Sequence, residues 1–310
     1  MLKGLIILVL MCCGATLHAQ LTYQTLEVDY DSAHTFKNLK IIPVRLRSGG
    51  NNGGREAMIS LSQGLAAGTV VVTERGTAAT ENVHWLRINN NSGVPVYIGS
   101  GEVIMGGRQD RMITKDTVLL PAEKDQYIPV MCVEEGRWSD KQKKFVYNNY
   151  ANAQLRKVLG TTNNQVLVWK EIDRQLNDNG FHSSSLAYLA QRHDKKMAIP
   201  QNEYHQYFHN KFMKEDTSVV GMICISGDKI IGCDIYAGKG LFDASLDALL
   251  YGYIEEALLH GQPPVVTDER VVTYLAPKLT SEEEQKEHLK KNGKIYTHEK
   301  RVIHITGFGE

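Results

Sequence analysis

The feature that most constrains the fold is a change of period near Asn148. Before it, apolar and polar residues alternate in short runs broken by Gly, Asn, Pro and Asp: LTYQTLEVDY and LKIIPVRLRS, then VVVTER, NVHWLRINNNSG, VPVYIGSGEVIM, RMITKDTVLLP and QYIPVMCVEE. A period of two is that of strands with one buried face. GGNNGG at 49–54 reads as a loop, and AMISLSQGLAAG as a helix ended at Gly68, where a left-handed cap fits. From Asn148 the spacing turns helical. NNYANAQLRKVLG, NQVLVWKEIDRQLNDNG, SLAYLAQRHDKKMA and PQNEYHQYFHNKFM predict four helices, with Asn, Ser or Pro at their starts.

GMICISGDKIIGCDIY returns to β structure as a hairpin turning between Ser226 and Lys229. Leu246, Leu249, Leu250, Tyr253, Ile254, Ala257 and Leu258 then fall on one face of an amphipathic helix. SEEEQKEHLKK predicts a charged helix with capping-box spacing between Ser281 and Glu284, and KIYTHEKRVIHITGF a closing hairpin. Strand runs followed by helix runs indicate an α+β fold. Its parts are a β-rich N-terminal body of mainly antiparallel strands (about 20–145), a helical part (about 146–215) and a C-terminal α/β part (about 216–310). No internal repeat is visible, and 20–310 is read as a single domain.

MLKGLIILVLMCCGATLHAQ carries Lys3, an apolar run from Leu5 to Met11 and a small residue at Ala19. This is the layout of a secretory signal peptide, residues 1–19, and the run is too short for a membrane span, which needs roughly 20 apolar residues. A lipoprotein signal is the competing reading, because Cys12 and Cys13 follow the run. Met11 stands where such a signal wants a small residue, which ranks it second. The expectation is a secreted, periplasmic protein with no span in the mature chain. Lys and Arg total 35 against 35 Asp and Glu with no basic block, which argues against nucleic acid as a partner.

Cys132, Cys224 and Cys233 remain after cleavage. An oxidising compartment permits disulfides, and two registers of the hairpin put Cys224 and Cys233 opposite or diagonal on one face. A tight cross-strand disulfide is one outcome of that spacing.

Chemistry concentrates in two stretches. In VYIGSGEVIMGGRQDRMI an apolar strand is broken by Gly106 and Gly107, after which come Arg108, Gln109, Asp110 and Arg111. Glycines bend a strand or open it to a ligand. IPVMCVEEGRW is apolar on both faces through Val133, then presents Glu134, Glu135, Arg137 and Trp138. In an extended strand Val130, Cys132 and Glu134 share a face. The arginines suit bidentate binding of a carboxylate or phosphate, with Glu102 or Glu134 as general acid or base and Gln109 orienting the ligand. The competing reading is a buried ionic network that fixes the sheet. Cys132 as a nucleophile needs a base and a lowered pKa, and His84 is the nearest sequence candidate.

GEVIMGGRQDRM followed by PVMCVEEGRW resembles the paired signature of the family named for its association with ARG and rhodanese-phosphatase domains. The likeness extends through VWKEID and CDIY. It implies that Gly101, Glu102, Gly106, Gln109, Arg111, Cys132, Glu134, Gly136, Arg137 and Trp138 are motif positions. It brings no reaction and no cofactor.

His205 and His209 lie four apart on a predicted helix, so their rings can share one face. Gln206 stands where a zinc peptidase carries its acid, and no third ligand is indicated, so no metal is assigned. GxSxG and dinucleotide fingerprints are absent, and GCDIYAGKG misses the phosphate-loop spacing. The resulting expectation is a small-molecule or acidic-ligand site, with a hydrolytic role open, formed by Glu102, Arg108, Gln109, Arg111, Glu134, Arg137 and Trp138. The alternative is a non-enzymatic envelope interaction protein. The partner is a small anion in the first case and an envelope protein in the second.

Overall fold

A computed structural model describes residues 20–47, 58–75, 83–123, 126–139, 142–212 and 218–310. Residues 1–19, read as a signal peptide, and GGNNGG, read as a loop, lie outside them. The chain begins with β1 (Leu26–Val28), β2 (His34–Phe36) and β3 (Leu39–Leu46). Next come β4 (Ile59–Ser60), α1 (Leu61–Ala66), β5 (Val70–Glu74), β6 (Trp85–Asn90), β7 (Val96–Ile98) and β8 (Glu102–Gly107). They are followed by β9 (Arg111–Ile113), β10 (Thr117–Leu119), β11 (Gln126–Cys132) and β12 (Gln142–Tyr150). The helical stretch is α2 (Ala153–Thr162), α3 (Gln165–Asp178), α4 (Ala190–His193) and α5 (Lys195–Phe212). The C-terminal part contains β13 (Val219–Ser226), β14 (Lys229–Tyr236), α6 (Lys239–His260), α7 (Asp268–Leu279), α8 (Glu282–Asn292), β15 (Gly293–His298) and β16 (Arg301–Phe308).

The fold is α+β with mainly antiparallel pairing. One sheet has the order β1-β3-β13-β14-β16-β15 with β2 also on β3, so the N-terminal strands join the C-terminal ones. A second sheet runs β12-β8-β9-β11-β6-β5, and a third, β10-β7-β4, contains a parallel pair, β4 with β7. Every residue of β13 is buried because the first sheet is covered on both faces. One face meets α5 and α6 through Met222, Cys224, Leu249 and Tyr253; the other meets α7 and α8 through Ile223, Cys233, Val271 and Leu289. The second sheet encloses Val72, Ile88, Ile104, Ile113 and Val130 on one face and meets α2 and α3 with Val103, Met112 and Val133 on the other.

The amphipathic helix α6 buries Leu246, Leu249, Leu250, Tyr253, Ile254 and Ala257, six of the residues its periodicity picked out, with Leu258 partly buried. It also buries Ser245, Gly252 and Glu255. Gly252 is required where α6 crosses the start of α2, since an added Cβ would stand 2.5 Å from the Ala151 carbonyl oxygen. Among the described residues no helix is long and apolar enough to cross a membrane.

Several local expectations change. Ile223 pairs with Cys233 and Cys224 with Gly232, because a bulge separates Cys224 from Ile225. Cys224 and Cys233 therefore face opposite sides of the sheet, and both are free thiols. α1 is shorter than read: Ser60 caps it with a reciprocal Gln63 bond, and Gly68 takes φ +69° just beyond its end. α5 starts at Lys195 rather than at Pro200, which lies inside it; Asp194 supplies an acceptor for the Lys196 N–H at 2.8 Å. What reads as a helix over SLAYLAQRHDKKMA is only the four-residue α4 followed by the first turn of α5.

Candidate functional site

The broken strand is explained by what crosses it. Gly106 has φ +138° and a Cβ there would stand 2.8 Å from the Lys144 carbonyl oxygen of β12. Gly107 has φ +51°, and its Cβ would stand 2.3 Å from Glu74 Oε1 and 2.4 Å from the Phe145 ring. Only glycine lets β8 close against β12 and the end of β5 in this way.

The two sequence motifs do meet. Val133 N–H donates to the Asp110 carbonyl, and Gly136 N–H to the Ser185 carbonyl. Beyond β11 the backbone leaves the strand, so Glu134 forms an isolated bridge with Ala187. Arg137 clasps the assembly. Its Nε donates to Glu134 Oε2 at 2.7 Å, Nη1 to the carbonyls of Gly107 and Ser139 at 2.8 Å each, and Nη2 to Asp110 Oδ1 at 3.2 Å. Ser185 Oγ donates to the other oxygen of Glu134 at 2.9 Å, and Gln109 Nε2 to the Glu135 carbonyl at 3.1 Å. Glu134, Gln109 and Asp110 are all buried. Trp138 is 51% exposed, with the Arg108 guanidinium 5.7 Å from its ring centre.

Arg111 is placed differently. It stands opposite Cys132 across β9 and β11, and continues the buried face of Ile113 as Cys132 continues that of Val130. Glu74 extends the face of Val72 on β5. These three side chains thus make a polar end to the apolar interior of the second sheet. Arg111 has no exposed surface. Its Nη1 donates to the Gln109 carbonyl at 2.7 Å, while Nε and Nη2 are buried without a hydrogen-bond partner. Glu74 Oε1 accepts from Arg108 N–H at 2.8 Å and lies 3.6 Å from Arg111 Nη2; its Oε2 is buried and unpartnered. Burial pushes the Cys132 thiol upward against the opposing pull of Arg111, so a ready thiolate is not what this environment favours.

Glu102 belongs to a second buried network. It accepts from Gly99 N–H at 2.9 Å and from the Tyr147 hydroxyl at 2.8 Å. Burial raises its pKa from 4.5 to about 8, against the lowering effect of those bonds. Beside it His304 is held between two acids, with Nδ1 3.2 Å from Asp116 and Nε2 3.0 Å from Asp234. Burial alone would lower the imidazole; the two acids overcome it and raise the pKa to about 9. Arg156 grips Asp234 with two nitrogens at 2.6 and 2.9 Å, Tyr253 donates to it at 2.7 Å, and Tyr236 stacks on His304 with ring centres 4.2 Å apart.

Asp116, Asp234 and His304 were missed from sequence. The available signal for Asp234 and His304 was an acid and a histidine inside mainly apolar strand stretches, CDIY and VIHIT. Register explains their meeting: Asp234 pairs with Thr306, which puts His304 diagonally across on the same face.

The family model for the ARG and Rhodanese-Phosphatase-superfamily-associated Protein domain matches residues 27–308. The chain belongs to this family. The match spans the N-terminal strands, both motifs and the C-terminal sheet, so the clasp and the buried acid–histidine network lie within one family domain. No curated protein and no solved structure matches the chain.

Proposed function

We propose that this family member is an exported, periplasmic binding protein that takes a small protonated oxyanion between Arg111 and Glu74. The observation that carries this is the pair of buried guanidinium nitrogens, Nε and Nη2 of Arg111, that make no hydrogen bond, Nη2 having only the 3.6 Å ion pair with Glu74, beside a Glu74 Oε2 that also makes none. Unfilled buried donors and acceptors are costly, on the order of 1–3 kcal/mol each, and such a cost is offset when a ligand supplies the missing bonds. A ligand here must accept from Arg111 and donate to Glu74. Hydrogen phosphate has both kinds of oxygen, whereas sulfate at neutral pH only accepts. The N-terminal residues support export. Within this reading Arg137, Glu134, Asp110 and Gln109 hold the two motifs together, and Arg111 is the receiving group.

The test is calorimetric titration of the mature chain with inorganic phosphate and with sulfate. Phosphate should bind, sulfate at least tenfold more weakly, and Arg111→Met should abolish binding while changing stability by less than about 1 kcal/mol. Phosphate binding that survives in Arg111→Met refutes the proposal. A second reading, a non-enzymatic envelope protein in which the motif charges only fix the sheet, is favoured by the four-acceptor clasp around Arg137. It gains if no oxyanion binds and Arg111→Met loses on the order of 3 kcal/mol or more.

A further inference from the structure

His205 and His209 gain a third neighbour that their sequence spacing does not show. α5 packs against α6, and Asp247 of α6 lies beside a nitrogen of each ring. Its Oδ1 lies 2.6 Å from His209 Nδ1 and 3.2 Å from His205 Nε2. The rings are nearly parallel, 21° apart with centres at 5.7 Å. One ligand atom from each residue falls within 4.8 Å of the others. His205 Nε2 is buried and makes no hydrogen bond of good geometry, although it stands 3.2 Å from Asp247 Oδ1. Tyr251, one turn along α6, packs on the His205 ring at 4.8 Å and fixes its plane.

We propose that His205, His209 and Asp247 bind a divalent transition-metal ion of the zinc class and thereby clip α5 to α6. Two neutral imidazoles and a carboxylate are the donor set such ions favour. With bonds of about 2.0–2.1 Å, tetrahedral ligand atoms stand about 3.3 Å apart, so to admit an ion the contacts to Asp247 open slightly while the three ligand atoms, now within 4.8 Å of one another, settle to that spacing. Asp247 is exposed and both histidines are partly so, which leaves the remaining coordination position to water. The site is independent of the Arg111 end of the second sheet and its test does not depend on that reading.

The mature protein, treated with chelator and dialysed, is titrated with zinc chloride by calorimetry. One ion should bind per chain at micromolar concentration or below, and Asp247→Asn and His209→Ala should each raise the half-saturation point at least tenfold. Hydrogen exchange of the unaltered protein gives the second measurement: zinc, but not magnesium, should slow exchange in residues 200–212. Absence of stoichiometric binding overturns the proposal. So does zinc binding that persists in both variants, or an exchange rate in α5 that zinc leaves unchanged.

Discussion

Replacing Arg137 by Met removes the guanidinium from a site that contains two carboxylates. The side chains of Asp110 and Glu134 are 2% and 6% exposed, and that of Arg137 14%. After the substitution Asp110 keeps the Gly106 N–H at 3.0 Å, and Glu134 keeps the Ser185 hydroxyl at 2.9 Å. Neither of these two bonds supplies charge, and the two buried carboxylates lose the guanidinium they share. Stranding one member of a buried pair costs about 3–5 kcal/mol. The methionine stem retains most of the apolar packing, so the loss is electrostatic. In urea, with a slope near 3 kcal/mol/M, the midpoint should fall by on the order of 1 M with the slope unchanged. Arg270 is the internal comparison: its side chain is 46% exposed and pairs with Glu310, itself 36% exposed, so Arg270→Met should cost less than about 1 kcal/mol. A loss below about 1 kcal/mol for Arg137→Met would refute the reasoning, since it would mean that water reaches the clasp.

The buried acid–histidine network predicts a stability maximum on the acid side of neutrality. Glu102 and His304 hold protons more tightly folded than unfolded, with pKa values raised from 4.5 to about 8 and from 6.5 to about 9. Their contributions are complete below the unfolded values and are lost as pH rises through those windows. Asp116 and Asp234, held below the ordinary carboxylate value of 3.8 by His304 and by Arg156 and His304 despite burial, contribute above that value and lose it in acid. Urea midpoints should therefore decline from pH 5 to 9, Glu102→Gln flattening the lower part and His304→Gln the upper; midpoints that rise with pH would contradict this. Gly252→Ala should destabilise by about 1–3 kcal/mol, because its Cβ meets the Ala151 carbonyl at 2.5 Å. A thermal midpoint raised by the alanine, as at an open helical glycine, would show that α6 is free to move there.

How much of this was legible follows from the range over which each feature is determined. The β13–β14 hairpin, the buried face of α6 and the β15–β16 hairpin are set by residues within a few positions of one another, and their periods show in the sequence. β12 does not show, because its pairing with β8 is interrupted by irregularities between Gln142 and Val146 and between Tyr147 and Tyr150, which break the alternation. α7 was hidden by Pro277, which sits inside the helix where a proline normally ends one. The motif residues were found because their composition is abrupt, but composition does not distinguish Arg137, whose donors are filled by neighbours, from Arg111, two of whose nitrogens make no hydrogen bond. That difference depends on Glu74 arriving from β5. The same holds for His304 between Asp116 and Asp234 and for Asp247 beside His205 and His209: each group is assembled from segments whose separation in sequence carries no trace of their register in space. Sequence therefore picks out residues able to do chemistry, and the crossings of β5, β12 and α6 decide which donors are left for a ligand.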